Sequence, residues 1–477
     1  MTELGAPGQW TSRAANLDMA GSDFLHAVAA GDTTLVLALL KSSDGSAQER
    51  RARAASLFLA ASKGYTLIVE AFLNHGTQSN AAQRNGATPI FIAAQNGHLD
   101  TVRVLAAVSQ VDVADANGAT PLAIACHKGH AAVAELLLSA GATVNRRQHN
   151  GATSLCLACQ AGHTETVQLL LRERASVEVK GREGATPLYI ACQNTHAPIV
   201  RLLLEAHARC GPVLTNGSSP LFIACQEGAA LIVRMLIDAG ASLDQATDTG
   251  GTALFIACSK GHAEVARMLI EAGASVNLHN RRGGTALFVC CERGHTGTAR
   301  ELIKAAADPS MPDISGATPL YVACQNRHLE TVQMLLELPA ERVGVNVSKG
   351  SGATPLYVAA QKGELAVVEA VIRAGATVDH RTNAGASALF ISCLQGQPDC
   401  AKVLLNAGAQ PNLAARDGTT CLVAACGSGN PEVAALLILA GAALVTDAGE
   451  LTRGALAALA LVRSMWDSKL WRGARSQ

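Results

Sequence analysis

The sequence predicts an all-α solenoid in which short helix-turn-helix units, joined by β-hairpin loops, stack on one another. Three observations carry this prediction. A pentapeptide close to Gly-Ala-Thr-Pro-Leu recurs along the chain, its copies are 32, 33 or 36 residues apart, and each is followed by two short apolar stripes with helical spacing. The pentapeptide, or a close variant, begins at Gly86, Gly118, Gly151, Gly184, Gly217, Gly250, Gly283, Gly316, Gly352, Gly385 and Gly418.

One unit, residues 117–141, shows why the elements form in this order. Asn117-Gly118 favours a tight hairpin turn. Thr120 then precedes Pro121, as an N-cap residue precedes a proline at the first helical position. The apolar spacing that follows predicts a first helix ending at Gly129 and a second ending at Gly141. Since helices of this length are marginal alone, each unit needs its neighbours.

The phase of the repeat divides the chain into four parts. Residues 1–19 are predicted to be an N-terminal tail, 20–85 two divergent units without the pentapeptide, 86–450 the regular array, and 451–477 a C-terminal capping helix and tail. Thirteen units result. The step from Gly316 to Gly352 holds three extra residues around 338–344, which are expected to form a surface loop, or alternatively to divide the array into two blocks.

Composition excludes several classes of protein. The 477 residues include 38 Lys and Arg against 38 Asp and Glu, and 49% are hydrophobic. A neutral, apolar composition argues against a disordered chain, a nucleic-acid-binding protein and a basic membrane-surface protein. No run reaches the roughly 18 apolar residues of a membrane-spanning helix. Residues 1–19 lack an apolar core segment, so no secretory signal is expected.

Residues 184–194, Gly-Ala-Thr-Pro-Leu-Tyr-Ile-Ala-Cys-Gln-Asn, and the Gly129-His130, Gly162-His163 and Gly261-His262 pairs resemble the ankyrin repeat. The resemblance covers about residues 20–450. It implies a curved stack with hairpins along one edge, and a concave face of hairpin tips and first helices that binds other proteins.

The position after the pentapeptide departs from this family, which usually has His there. Nine of the twelve Phe and Tyr residues occupy it, so the hydrogen bond of that His to the turn Thr cannot form. The rings are predicted to pack between neighbouring units; the alternative is an apolar strip on the groove floor. The position holds Phe58, Phe91, Ala123, Cys156, Tyr189, Phe222, Phe255, Phe288, Tyr321, Tyr357, Phe390 and Val423.

Cysteine and histidine also repeat in register. Nine of fourteen Cys share one small core position, which predicts buried free thiols and a reducing compartment, the cytoplasm or the nucleus. Seven of fourteen His follow the first helices, which indicates hydrogen bonds between the loops of neighbouring units. Cys156 and Cys159 with His163, and Cys290-Cys291 with His295, are interpreted as structural copies. We therefore expect no metal, no cofactor and no catalytic residue.

The groove is predicted to be lined by the last residues of the first helices and by the hairpin tips. The small residue after the hairpin Gly is interpreted either as an open floor or as a trace of recent duplication. The predicted partner-binding residues are Gln95, Asn96, His127, Lys128, Gln160, Gln193, Asn194, Gln226, Glu227, Lys260, Glu292, Arg293, Gln325, Asn326, Gln361, Lys362, Arg182, Arg281 and Arg282.

These features predict a non-catalytic scaffold or adaptor, a monomer that binds protein partners but neither nucleic acid nor membrane. The alternative is a substrate-recognition subunit of a ubiquitin ligase or kinase complex, which docks through an amphipathic helix in 451–477. A structural spacer without a groove partner is a third possibility.

Overall fold

A computed structural model describes residues 19–42, 45–211, 214–443 and the single residue 460. The predicted N-terminal tail lies outside these residues except for Met19. The predicted capping helix and its docking alternative lie outside them except for residue 460.

The described residues form 27 α-helices, and 26 of them make thirteen consecutive pairs, as the repeat predicts. In the first seven pairs the helices are α1 Met19–Ala30, α2 Thr33–Lys41, α3 Ala47–Lys63, α4 Thr66–Asn74, α5 Pro89–Gln95, α6 Leu99–Ala106, α7 Pro121–Lys128, α8 Ala131–Ser139, α9 Ser154–Ala161, α10 Thr164–Arg172, α11 Pro187–Gln193, α12 Ala197–Glu205, α13 Pro220–Gln226 and α14 Ala230–Asp238. A short 3₁₀ turn, Arg182–Gly184, precedes α11.

The remaining helices are α15 Ala253–Lys260, α16 Ala263–Glu271, α17 Ala286–Arg293, α18 Thr296–Lys304, α19 Pro319–Gln325, α20 Leu329–Leu336, α21 Ala340–Val343, α22 Pro355–Lys362, α23 Leu365–Arg373, α24 Ala388–Gln395, α25 Pro398–Asn406, α26 Cys421–Gly427 and α27 Pro431–Leu439. All are paired except the short α21. The only β-bridges in the described ranges are the isolated pairs His279–Thr285 and Ala414–Thr420.

The chain forms two compact units, Met1–Ser242 with α1 to α14 and Leu243–Gln477 with α15 to α27. Within each unit the first helix of a pair contacts the first helix of the next pair, and second helices likewise contact second helices. Each unit is thus a one-dimensional stack whose core lies between successive pairs. The predicted fold class is confirmed.

Local capping sets the helix boundaries. Thr120 Oγ1 accepts a hydrogen bond of 3.2 Å from the Ala123 N–H, and Pro121 occupies the first turn of α7. Gly129 ends α7 with a φ of 79°, and its N–H bonds to the carbonyls of Ala125 and Cys126. Ser or Thr performs the same N-cap role at most other first helices, which explains why the pentapeptide recurs.

Five of the seven histidines that follow the first helices join neighbouring pairs in the predicted way. A ring nitrogen of each lies 3.0 to 3.3 Å from a carbonyl oxygen of the preceding pair: His98 from that of Ser62, His130 from Gln95, His163 from His127, His295 from Ser259 and His328 from Glu292. The rings cover the glycine that ends the preceding first helix. A Cβ added at Gly129 would lie 2.5 Å from His163 Nδ1.

Main-chain hydrogen bonds also join successive hairpins. The Ala116 N–H donates to the Asn85 carbonyl at 2.8 Å, and the His149 N–H donates to the Asn117 carbonyl at 3.1 Å. In the second unit, equivalent bonds run from Arg281 to Thr249 and from Ile314 to Arg282. The hairpin tips therefore have fixed relative positions within each unit.

The aromatic position packs between neighbouring units, as predicted, and it does so against the hairpins. Phe58 and Phe91 form a buried cluster with Ala87 and Ala119, the small residues that follow the hairpin glycines. The ring pair found among the described residues is Phe24 with Phe72, outside this position. The rings thus rest on the hairpins, and this packing gives a physical reason for the small hairpin residue that neither interpretation from the sequence contained.

The cysteines are free thiols, and twelve of the fourteen are buried. The shared core position is confirmed as buried at Cys126, Cys159 and Cys192, whereas Cys426 is partly exposed. Burial raises the pKa of Cys126 to about 12. The Cys126 thiol is therefore protonated at neutral pH and packs as a small apolar group.

The insertion at 338–344 is exposed from Pro339 to Arg342, as expected, but it forms a short helix where a loop was predicted. Pro339 is the N-cap of the short helix α21, and Val343 and Val345 are buried. Helix α20 contacts α23 across it, and the Gly350 N–H bonds to the Ser315 carbonyl at 2.8 Å. Stacking continues past the insertion because its apolar residues join the core.

Candidate functional site

The predicted groove positions lie at the ends of the first helices. The exposed side chains among them include Lys128, Gln160, Gln193, Glu227, Lys260, Glu292, Arg293, Gln361 and Lys362. Gln95, His127, Gln226 and Gln325 are half-buried. Exposed polar side chains of different charge thus recur on a repeated frame.

The frame beneath these side chains is held by the next pair. The carbonyl of Glu292, near the end of α17, accepts hydrogen bonds from Asn326 Nδ2 at 2.8 Å and from His328 Nε2 at 3.1 Å. Asn96 Nδ2 donates to the Ser62 carbonyl in the same way, at 2.7 Å. Asn194 Nδ2 donates to the Ile190 carbonyl within its own helix at 2.8 Å. The amides of Asn96, Asn194 and Asn326 therefore have structural partners, although sequence reasoning assigned them to partner binding.

His127 occupies its groove position with an unusual environment. Its carbonyl lies 3.1 Å from His163 Nε2, while its own Nδ1 is buried without a hydrogen-bond partner. Burial, together with Lys128 and His163, lowers the pKa of His127. This ring is therefore neutral at physiological pH.

In the second compact unit, the hairpins and first helices line a cavity of about 540 Å³ that is partly open to solvent. Of the predicted groove residues, it brings together Glu292, Arg293, Gln325, Arg281 and Arg282. Its walls are the ends of α15, α17 and α19 on one side and their hairpins on the other. Volumes of this order are typical of ligand sites.

The hairpin that carries Arg281 and Arg282 is fixed on both sides. Arg281 N–H donates to the Thr249 carbonyl and the Arg282 carbonyl accepts from Ile314 N–H, both at 2.9 Å. Asn280 Oδ1 closes the turn by accepting from the Arg282 and Gly284 N–H groups at 2.9 and 3.0 Å. The two guanidinium groups therefore extend from a rigid backbone.

The floor of this cavity is apolar. Phe255 is half-buried, and Phe288 is 8% exposed. A Cβ added at Gly284 would lie 3.3 Å from Phe288 Cδ1, so the absence of a side chain there lets the ring settle on the hairpin. Val289 and Val322 complete the floor. At these units the aromatic position serves both the core and the cavity surface.

Several cavity residues were missed by sequence reasoning. Asp248, Thr249, Asn280, Asp313 and Lys349 lie on the hairpins. The repeat offered a signal, because all of them are close to the hairpin Gly in sequence. Of the hairpin residues, however, only Arg182, Arg281 and Arg282 were predicted to bind a partner. The side chain of Arg182 lies outside the described part of the chain. The cavity does not include the groove positions of the other pairs.

Two further findings bear on chemistry. Among the described residues, no group of three or more His, Cys, Asp or Glu side chains is arranged to hold a metal ion. No helix in the described ranges has the length and apolar content that a membrane crossing requires.

A comparison with family models agrees with the fold. The family model described as "Ankyrin repeats (3 copies)" matches overlapping stretches from 24–112 to 356–448, which together span residues 24–448. Among solved structures, the human ASB11 ankyrin repeat domain is 28% identical, covers 46% of this chain and 98% of its own, and has a TM-score of 0.42. No curated protein matches the chain.

Proposed function

Since the chain belongs to the ankyrin repeat family, we propose that it is a non-catalytic scaffold or adaptor that binds a protein partner through its groove positions. Ankyrin repeats are in general protein–protein interaction modules. The observation that carries the proposal is the cavity over α15, α17 and α19, which combines aromatic rings with arginines on a fixed frame. Protein interfaces concentrate their binding energy in residues of these types.

The repeated architecture supports a binding role over a catalytic one. The backbone and the packing of the second helix around a groove position are nearly the same in every pair. Catalysis, in contrast, needs particular side chains whose pKa values are shifted by their own surroundings. Among the groove positions, His127 has a lowered pKa, but its Nδ1 is buried and its carbonyl is engaged by His163. Variation of exposed side chains on a constant frame is how one fold serves different partners.

The thiols support a reducing location for this function. Twelve buried cysteines without disulfides are compatible with the cytoplasm or the nucleus, where thiols stay reduced. We propose that the protein works in one of these two compartments.

Site-specific photo-crosslinking of the full-length chain tests the proposal. A photoreactive amino acid replaces Gln325 at the cavity, and in a matched control it replaces Gln333, an exposed glutamine on the second helix of the same pair. Crosslinked proteins that depend on the Gln325 position are the expected result. Equal crosslinking from Gln333, or none from Gln325 in cells that express the protein naturally, would refute groove binding.

A further inference from the structure

The cavity over α15, α17 and α19 also indicates the chemistry of the partner, an inference that rests on the proposed function. We propose that it binds an extended acidic segment of a partner protein, in which apolar residues lie between carboxylates. Three features of the cavity support this proposal: its rim is cationic, its own carboxylates neutralise the rim only in part, and its floor is apolar.

The cationic rim consists of Arg281, Arg282, Arg293 and Lys349. In the part of the chain that the structure describes, the three guanidinium groups form neither an ion pair nor a side-chain hydrogen bond. Lys349 Nζ lies 5.8 Å from the centre of the Tyr321 ring, which holds the ammonium at the cavity edge. A guanidinium presents a planar fork of donors that matches a carboxylate.

The carboxylates of the cavity neutralise this rim only in part. Four cationic groups face three carboxylates, those of Asp248, Glu292 and Asp313. Asp313 Oδ1 already accepts bonds from the Ser315 N–H, the Ser315 hydroxyl and the Ala317 N–H, at 2.6 to 2.9 Å. In the arginine hairpin, the corresponding turn residue is the neutral Asn280. The arginine pair thus has no carboxylate in its own turn.

Apolar surface lies within the same site. The half-buried Phe255 ring forms part of the floor. Outside the cavity lining, Ile314 is 79% exposed at the hairpin tip next to Asp313. An apolar residue of the partner that packs on this floor loses its contact with water. The carboxylates on either side of it in the partner sequence then lie within reach of the arginines. The three helix pairs span about 20 Å at the usual spacing of about 10 Å, which is the length of about six extended residues.

Carboxylates suit this site better than phosphate groups. Glu292 and Asp248 lie among the cations and would repel a phosphate, which carries close to two negative charges at neutral pH. Single charges that alternate with apolar groups fit between them.

Fluorescence anisotropy with the full-length chain tests this inference. The probe is a labelled peptide, Glu-Glu-Leu-Phe-Glu-Glu, and the reference peptide carries Gln at each Glu. We expect the reference to bind about tenfold more weakly at low salt, with a difference that narrows as salt is added. The variant with Arg281→Gln and Arg282→Gln should weaken probe binding by about tenfold. The matched control changes Arg84→Gln and Arg416→Gln, two exposed hairpin-tip arginines outside the cavity, and should bind as the wild type does.

Three results would overturn the inference: equal affinity for both peptides, unchanged affinity of the Arg281 and Arg282 variant, or tighter binding of a peptide with phosphoserine in place of Glu. Unchanged circular dichroism of both variants shows that they fold. A partner that crosslinks at Gln325 and is captured equally by the Arg281 and Arg282 variant refutes the acidic segment but leaves the proposed function standing. Absence of crosslinking refutes the function itself.

Discussion

Replacement of Gly129 by alanine tests whether the histidine rings hold neighbouring helix pairs together. Gly129 ends α7 with a φ of 79°, and the His163 ring of the next pair covers its Cα. A Cβ at this position would lie 2.5 Å from His163 Nδ1, so the ring has to move. The ring then loses its hydrogen bond to the His127 carbonyl.

The size of the effect follows from two contributions. A left-handed backbone costs an L-residue about 1–2 kcal/mol. The lost hydrogen bond adds about 0.5–1.5 kcal/mol. Gly141, in the same helix pair, is the matched control, because its φ is 90° but an added Cβ would meet no atom within 4 Å. We therefore expect Gly129→Ala to destabilise the array by about 1 kcal/mol more than Gly141→Ala does.

Hydrogen exchange followed by mass spectrometry measures this difference, because it locates the loss of protection along the stack. Exchange in the Gly129→Ala variant should rise most in α7 to α10. The double variant with His163→Ala should be no less stable than Gly129→Ala alone, because the ring is already displaced. Equal exchange in the Gly129 and Gly141 variants, or additive effects of the Gly129 and His163 changes, would refute the proposed role of the ring.

Three other predictions concern packing, pH and thiol reactivity. Phe91→Ala should lower the free energy of unfolding by about 3–5 kcal/mol, and Phe255→Ala should lower it less because Phe255 is only half-buried. A lower urea midpoint for Phe255→Ala than for Phe91→Ala would contradict this. The pKa of His127 is lowered by folding, so the unfolded chain binds the proton first, and stability falls as the pH drops below about 6.5. His127→Gln should flatten that part of the urea midpoint profile, and an unchanged slope would show that other groups cause it. N-ethylmaleimide should modify Cys210 before Cys225 in the native protein, and equal rates by peptide mapping would show that the core opens easily.

Helix boundaries were predictable because their causes are local in sequence. The Thr-Pro start and the Gly end of α7 are read from a dozen residues, and the same signals recur in each pair. The cap at α3 differs, since Ser46 and Glu49 replace the pentapeptide and Ala47–Lys63 is longer. That segment was recognised only by its apolar spacing.

Contacts between pairs were predictable in kind but not in detail. The histidine positions indicated loop hydrogen bonds, yet the acceptor is a main-chain oxygen about one repeat away, which no side-chain pattern reveals. The aromatic position indicated packing between units, which is confirmed, but the hairpin alanines that share the cluster with the rings were not predicted. The direction of a side chain along the stack depends on the packing of three elements at once.

Sequence predicted the residues of the candidate site that lie on helices better than those that lie on hairpins. The register of the first helices fixed Glu292, Arg293 and Gln325, whereas Asp248 and Lys349 depend on how each hairpin lies beside the next. The short helix in the insertion was not predicted, because four residues are too few to show a helical period. Val343 at the end of α21 and Val345 just after it are buried in the core.

The histidine bond has a consequence for how such a protein changes in length. His163 binds a backbone oxygen, which every amino acid supplies, so the joint does not depend on the side chain of the residue it holds. Whole repeats can then be duplicated, lost or exchanged by recombination without a compensating substitution where two helix pairs meet. The residues exposed at the ends of the first helices remain free to diverge. Evolution can therefore change which partner the surface binds while the same histidine hydrogen bond holds the pairs together.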